Sequence, residues 1–401
     1  MNVLFIFSRH ATDPRDSTLT KDLSDEFAKQ GVNVYVMTML EKNKNQDTSF
    51  KLENGYHVLR VKTGNYFNCK TRVEKVKTIL TMPNQFVAAA KEYLSEVKFD
   101  LIIAHTPFVS SQKIITPLKK MFDCPAHLIL WDIFPQNAWD IGIIKNKLLF
   151  KYFKRSEVKM LTAYDHIWCM SDGNVDYMKQ HYPELRYLTI DRLYNSSQIK
   201  ALPDIDREQI RSKYGYTSED IIAIFGGNMG VPQRLENILE LAKRAKDIKF
   251  LFVGSGTETS VIIELANRLK LDNVQFISQV PRADYEALTY GADIGLVSLD
   301  QRFTVPNFPS KTTDYFKLQL PIFASLDSGA AKDYGYFLTD IAKAGRFAQA
   351  GDHESVFNEF IKLCSDTNLR KQLGKNGRRF YEDCLSSESA YEKIVNRLNI
   401  N

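Results

Sequence analysis

Short apolar runs separated by stretches of helical periodicity recur along this 401-residue chain, and the pattern starts over halfway through. The first series is NVLFIF (2–7), NVYVMTML (33–40), YHVLRV (56–61), DLIIAH (100–105), AHLILW (126–131) and HIWCMS (166–171). The second is DIIAIFGG (220–227), IKFLFVGSG (248–256), NVQFIS (273–278), DIGLVSL (293–299) and PIFAS (321–325). Strands spaced by helix-length segments suit parallel pairing through helical crossovers. The expectation is an α/β chain of two doubly wound domains with a cleft between them, at the carboxyl ends of their strands, where such sheets hold ligands.

The stretch 188–216 is polar and turn-prone and lies between the two series. It places a hinge near 195–203, an N-terminal domain over 1–197 and a second domain over 198–380. A C-terminal helix over 381–401 can pack back on the first domain. Within the first domain LTKDLSDEFAKQG (19–31) closes on Gly31 as a helix C-cap does, and 70–97 carries long helical periodicity that Pro83 is expected to interrupt.

Several classes of protein are disfavoured. The five cysteines form no CxxC pair and are odd in number, so neither a disulfide framework nor a zinc site is expected, and a reducing cytosol fits. None of the seven histidines is spaced i, i+4 with another histidine or a cysteine, and the DID at 204–206 reads as a solvated hinge segment, so no metal and no cofactor are expected. The opening MNVLFIFSRH lacks a basic leader and is far shorter than the roughly 18 residues of a membrane span. GSGTET (254–259) is not the dinucleotide fingerprint, because Thr259 stands where the third glycine belongs.

Three loops of the second domain invite close backbone approach to a ligand. FGGNMGVPQRLENILEL (225–241) has Gly226, Gly227 and Gly230 ahead of a helix expected near Pro232, with Gln233 and Arg234 in its first turn. FVGSGTETS (252–260) offers Gly254 and Gly256. In FPSKTTDYFKLQLPIFAS (308–325), Ser310 is expected to cap a helix, the amides of Thr312 and Thr313 to point outward, and Lys311 to add a positive charge. Together these read as a diphosphate site. In the first domain, His105 in IIAHTP and Asp132 in LWDIFPQN end strands with acid–base groups, Asp132 being followed by Gln136 and Asn137. Alternatively Asp132 is a cap or a structural hydrogen-bonding group, and His105 a structural histidine.

In that order, GGNMGVPQRLENIL, VGSGTE, NVQFISQVPRADYEALTYGADIGLVSL, PSKTTDYFKLQLPI and LWDIFPQNAWDIGII resemble a GT-B glycosyltransferase of the retaining family 4 type. Within it they are similar to the bacterial branch of fucosamine-transferring polysaccharide enzymes. The resemblance covers nearly the whole chain. It implies a GT-B fold of two Rossmann-like domains and a metal-independent transferase that moves a sugar from a nucleotide diphosphate, UDP first among them, to a glycan or lipid-linked acceptor in bacterial surface polysaccharide synthesis. By position, Gly227, Asn228 and Gly230 would lie near the donor phosphates, Lys311 would pair with the diphosphate, Asp314 would hold the ribose, and Gln279 and Val280 would flank the base. The family commonly has Arg where Asn228 stands and Lys where Gln233 stands, so Arg234 and Lys311 are left to supply the charge. Of the two-glutamate motif only Asp314 remains, with Pro306 at the other position. The resemblance also implies same-face attack, the leaving phosphate taking the acceptor proton and Asp132 orienting the acceptor or assisting as base. The alternatives are another GT-B nucleotide-sugar enzyme of epimerase type, or a non-catalytic nucleotide-sugar-binding partner subunit.

The chain has 53 Lys and Arg against 48 Asp and Glu, a net charge of +5. KNKLLFKYFKRSEVKM (145–160) holds an equal excess by itself, through Lys145, Lys147, Lys151, Lys154, Arg155 and Lys159 against Glu157. Leu148, Leu149, Tyr152 and Phe153 interleave at helical spacing. This is the composition of a helix lying on an anionic membrane, here the inner face of the cell membrane; the alternative is a helix that buries its apolar side in its own domain. No recognised nucleic-acid module accompanies the patch, so no nucleic-acid partner is expected.

Overall fold

A computed structural model of the chain describes residues 1–13, 16–106 and 111–398, which divide into two compact α/β units. The first takes its described residues from 1–139, 144–198 and 387–398, and the second from 140–143 and 199–386.

The first unit is built on eight strands: β1 (Asn2–Phe7), β2 (Asn33–Glu41), β3 (Ser49–Glu53), β4 (Tyr56–Thr63), β5 (Leu101–His105), β6 (Ala126–Leu130), β7 (His166–Cys169) and β8 (Thr189–Arg192). They lie in the order β3-β4-β2-β1-β5-β6-β7-β8. All pairs are parallel except β3 with β4, a hairpin edge. Residues Val3 to Phe7 and all of β5 and β6 are buried, as strands covered on both faces must be. The order reverses between β1 and β5, the position at which open α/β sheets accept ligands.

Pro83 does not interrupt its segment: one helix runs from Arg72 to Tyr93 through it, started by Thr71, whose Oγ1 accepts from the Glu74 amide at 3.1 Å. The proline removes one backbone donor, but Met82, Phe86, Ala89 and Ala90 are buried beside it, and that apolar face holds the helix together. The helix Ser387–Leu398 joins this unit, with the Tyr391 ring edge-on to Phe27 at 4.8 Å.

The second unit has β9 (Ile221–Asn228), β10 (Ile248–Ser255), β11 (Val274–Ile277), β12 (Ile294–Ser298), β13 (Ile322–Leu326) and β14 (Gly345–Gln349), all parallel, in the order β11-β10-β9-β12-β13-β14. Here the order reverses between β9 and β12. Ala223, Phe225, Phe250, Phe252, Leu296 and Phe323 form the centre of its core.

Candidate functional site

At the carboxyl ends of β9 and β10 a cavity of about 570 Å³ opens within the second unit. Of the residues read from the sequence, Gly227, Asn228, Gln233, Gly254, Gln279, Val280, Ser310, Lys311 and Asp314 line it. The backbone there can exist only with glycine. Gly254 has φ +138°, and a Cβ on it would stand 2.1 Å from the Gly227 carbonyl oxygen. Gly227 has φ +111° with open space where its Cβ would be. A Cβ on Gly226 would meet the Tyr285 hydroxyl at 2.1 Å.

Charge in the cavity wall is unevenly compensated. Arg282 pairs with both oxygens of Asp314, the Nη1–Oδ2 contact being 3.1 Å, and its Nε donates to Glu286 at 3.0 Å. Glu286 also accepts from the buried Lys317 at 2.7 Å. Lys311 has no acidic partner among the described residues; its Nζ stands 4.0 Å over the Phe225 ring. Desolvation pulls its pKa down to about 8, against the opposing pull of the Asp314 carboxylate. A half-buried cation held at this cost, without an ion-pair partner among the described residues, is suited to an anionic ligand.

The surrounding turn differs from expectation. Ser310 makes no side-chain capping bond, and the amides of Thr312 and Thr313 donate to the carbonyls of Pro309 and Ser310, at 3.1 and 3.3 Å. The helix Lys311–Lys317 has only seven residues, so its first amides are spent closing the tight turn that begins it. Thr312 is turned into the core, its hydroxyl 2.6 Å from that of Tyr334, and does not line the cavity. Gly230 and Gly256 also lie outside the lining: the Gly230 amide donates to Gln233 Oε1 at 3.1 Å, and Gly256 packs on the Met229 backbone. No α-helix starts at Pro232, where a short 3₁₀ turn, Val231–Gln233, precedes the helix Glu236–Arg244. Arg234 sits at φ +38° with its guanidinium 3.6 Å from Asp300, a buried carboxylate also held by Arg302. It is absent from the cavity wall, because a carboxylate of the same unit engages it. Sequence reasoning missed Val253, Ser255, Arg282 and Tyr285 in that wall. Arg282 was within reach, since it stands two residues beyond Val280.

In the first unit His105 lines a separate cavity of about 1030 Å³, together with Trp131. Its Nδ1 donates to the Thr106 carbonyl and its Nε2 accepts from the Ser8 amide at 3.2 Å, so β1 and β5 are joined through a neutral imidazole. Burial lowers its pKa to about 4. Thr106 Oγ1 accepts from the amides of Trp131 and Asp132, at 2.9 and 3.2 Å, which fixes the chain at the end of β6. The Asp132 side chain is open to solvent by area, while the protein mass around it raises its pKa by desolvation. Gln136 and Asn137 start the one-turn helix Gln136–Asp140, and neither they nor Asp132 line this cavity. Among the described residues no group of three His, Cys, Asp or Glu is placed to hold a metal.

The basic segment forms the helix Lys147–Leu161, capped by Asn146, whose Oδ1 accepts from the Leu148 and Leu149 amides. Leu148 is 77% exposed and Tyr152 63%, on a surface shared with the exposed Lys147, Lys151, Arg155 and Lys159. Lys154 departs from the expected outward face: its Nζ lies 3.7 Å over the Tyr182 ring and 3.0 Å from Glu157, a buried carboxylate that needs a counter-ion. No described helix is long and apolar enough to cross a membrane.

Residues 206–380 match the family described as Glycosyl transferases group 1. Over 207 residues the chain is 23% identical to "Probable glycosyltransferase WbjE" of Pseudomonas aeruginosa, a match covering 51% of each sequence. The chain spans about half the length of this relative and of two further curated transferases or synthases it matches. Among solved structures, sucrose-phosphate synthase of Thermosynechococcus elongatus superposes with a TM-score of 0.78 at 17% identity, covering 100% of this chain and 98% of that one. Anabaena HepE, solved in complex with UDP and glucose, gives 0.71 at 15% identity and covers all of both chains. These likenesses show the fold, that of GT-B glycosyltransferases.

Proposed function

We propose, for a chain whose residues 206–380 form a Glycosyl transferases group 1 domain, that it is a retaining glycosyltransferase of the family 4 type, acting from a nucleotide diphosphate sugar. The proposed acceptor is a glycan or a lipid-linked sugar of bacterial surface polysaccharide, as in the fucosamine-transferring branch its motifs resemble. The observation that carries this reading is Lys311, a desolvated cation without an ion-pair partner among the described residues, in the wall of a glycine-framed cavity. UDP is the carrier proposed first, since HepE of the same fold is solved with it.

As the bond from the anomeric carbon to the leaving phosphate oxygen breaks, negative charge gathers on the diphosphate, and Lys311 stabilises it. Attack by the acceptor hydroxyl on the same face forms the new glycosidic bond. The acceptor proton passes to the leaving phosphate, and Asp132 orients the acceptor or assists as base, with His105 the second candidate. Arg282 and Asp314 hold one another across the pocket wall, so the ribose would meet a carboxylate already oriented by its ion pair. No metal takes part in this scheme. The exposed basic and apolar surface of the helix Lys147–Leu161 supports docking on an anionic membrane, where a lipid-linked acceptor resides.

The test is incubation of the purified chain with radiolabelled UDP-, GDP- and TDP-sugars and lipid-linked or glycan acceptors. Transfer of label with retained anomeric configuration is expected. Donor binding without transfer or hydrolysis, across all acceptors, would instead mark a nucleotide-sugar-binding subunit.

A further inference from the structure

The cavity of the first unit has a charge balance of its own. Arg60 and Glu53 form a two-pronged pair, at 3.0 and 2.6 Å, and cancel. Glu41 is spent differently: its Oε1 accepts from the amides of Tyr66, Phe67 and Asn68 at 2.7, 2.7 and 3.2 Å. Burial pushes this carboxyl up, and the amides outweigh burial and hold it below its ordinary value. What remains in the lining is Arg9, Lys44 and Lys51 against Asp16, none with an ion-pair partner among the described residues. Glu41 keeps its negative charge, so the lining holds four cations against three carboxylates, an excess of one.

Arg9 is also placed. Its guanidinium lies 3.6 Å over the Phe67 ring, and the Phe67 backbone is the one pinned by Glu41. Stacking of this kind fixes a planar fork while leaving its N–H groups for a carboxylate or phosphate. In the same wall, His10 is 7% exposed and has an unsatisfied nitrogen. Tyr56 donates its hydroxyl proton to Asp25 at 2.9 Å, so its oxygen accepts from His10 Nε2 at 3.1 Å. The imidazole proton is therefore on Nε2, where it braces Tyr56, and Nδ1 is buried without a hydrogen-bond partner among the described residues. Trp131, tilted against His105 with ring centroids 4.2 Å apart, adds aromatic surface for the apolar face of a pyranose.

We propose that this cavity binds an anionic sugar, a saccharide carrying a carboxylate or a phosphate, with Arg9 as its charge contact. The inference rests on the transferase reading only in making that sugar the acceptor. The size is adequate, as small-molecule pockets run to about 1,000 Å³.

Calorimetry on the full chain tests it with three probes: a glucuronate-containing disaccharide, a glucose phosphate and a neutral glucose disaccharide, each beside UDP. At least one anionic probe should bind about tenfold or more tighter than the neutral one, and which of the two does so separates carboxylate from phosphate. Arg9→Ala should erase the preference, a loss of about 10–100-fold for one charge-assisted contact, and Arg9→Lys should restore part of it. UDP affinity should stay unchanged in both variants, and thermal melting checks that both are folded. Equal binding of neutral and anionic probes, a preference that survives Arg9→Ala, or no binding of any sugar while UDP binds would each overturn the proposal. Anionic sugar bound with no nucleotide bound would leave it standing and sink the transferase reading instead.

Discussion

Replacing Lys311 by Met should move stability and ligand affinity in opposite directions. At pH 7 the lysine keeps its proton although desolvation has lowered its pKa from 10.5 to about 8. At about 1.4 kcal/mol per unit, the ligand-free protein bears at most about 3 kcal/mol for that charge, and less because the side chain is only half-buried. Methionine removes the cost and also loses the cation–ring contact with Phe225, worth roughly 1 kcal/mol. A net gain of about 1–2 kcal/mol remains, a rise of roughly 2–8 °C in Tm. The sign follows from linkage: a base whose folded pKa is lowered destabilises fully below the folded value, and the penalty fades as pH climbs from about 8 to 10.5. The advantage of the variant should therefore fade over the same interval. UDP binding should fall by about 10–1000-fold in the variant, since a charge-assisted phosphate contact is worth roughly 1.5–4 kcal/mol. Wild-type affinity should itself weaken as pH rises through about 8, and that limb should vanish in the variant. Scanning calorimetry across pH and nucleotide titration provide both readouts. A variant that is no more stable at pH 7 and binds UDP like the wild type would refute the assignment of Lys311 as an uncompensated phosphate contact.

Gly254→Ala should cost the second unit about 3 kcal/mol or more, from a 2.1 Å clash with the Gly227 carbonyl at φ +138°, whereas Gly227→Ala meets only backbone strain of about 1–2 kcal/mol; urea melts of both variants rank them. Exchanging Lys147, Lys151 and Arg155 for Gln should cut sedimentation with anionic vesicles about 100-fold, at about 1 kcal/mol per charge, and spare UDP binding. Vesicle binding equal to wild type would end the membrane proposal. Lys154→Gln should instead lower Tm, because it strips the counter-ion from buried Glu157. Transfer activity should survive EDTA; loss reversed by magnesium or manganese would contradict the metal-free scheme.

The two sheets were legible because their strands are continuous apolar runs, a pattern that burial on both faces enforces. β3 and β8 were not, since SFKLE and TIDR are half-polar edge strands with little apolar signal. At the site, glycines announced themselves because φ and close approach exclude other residues. Arg234 was misplaced for the opposite reason: a cation near a glycine loop can serve a ligand or a buried carboxylate, and nothing local marks Asp300 as its partner. Thr312 likewise reads as a free amide donor until the turn at Pro309 consumes it. Arg9 and Phe67, 58 positions apart, are joined only by tertiary structure.

The helix Ser387–Leu398 has a consequence for the order of folding. It covers Phe27 with Tyr391, ties Arg397 to Thr189 at 3.0 Å, and begins at Ser387, whose amide donates a hydrogen bond to the Ser197 carbonyl at 3.0 Å. A nascent chain that has emerged as far as residue 198 holds all eight strands of the first sheet but lacks the piece that closes it. At about 5–20 residues per second, roughly 10–40 s pass before that piece is made, because the whole second unit, to residue 386, is synthesised first. Until then Phe27 packs on Phe5 but lacks its Tyr391 cover, which leaves the first half of the chain open to misassembly during synthesis.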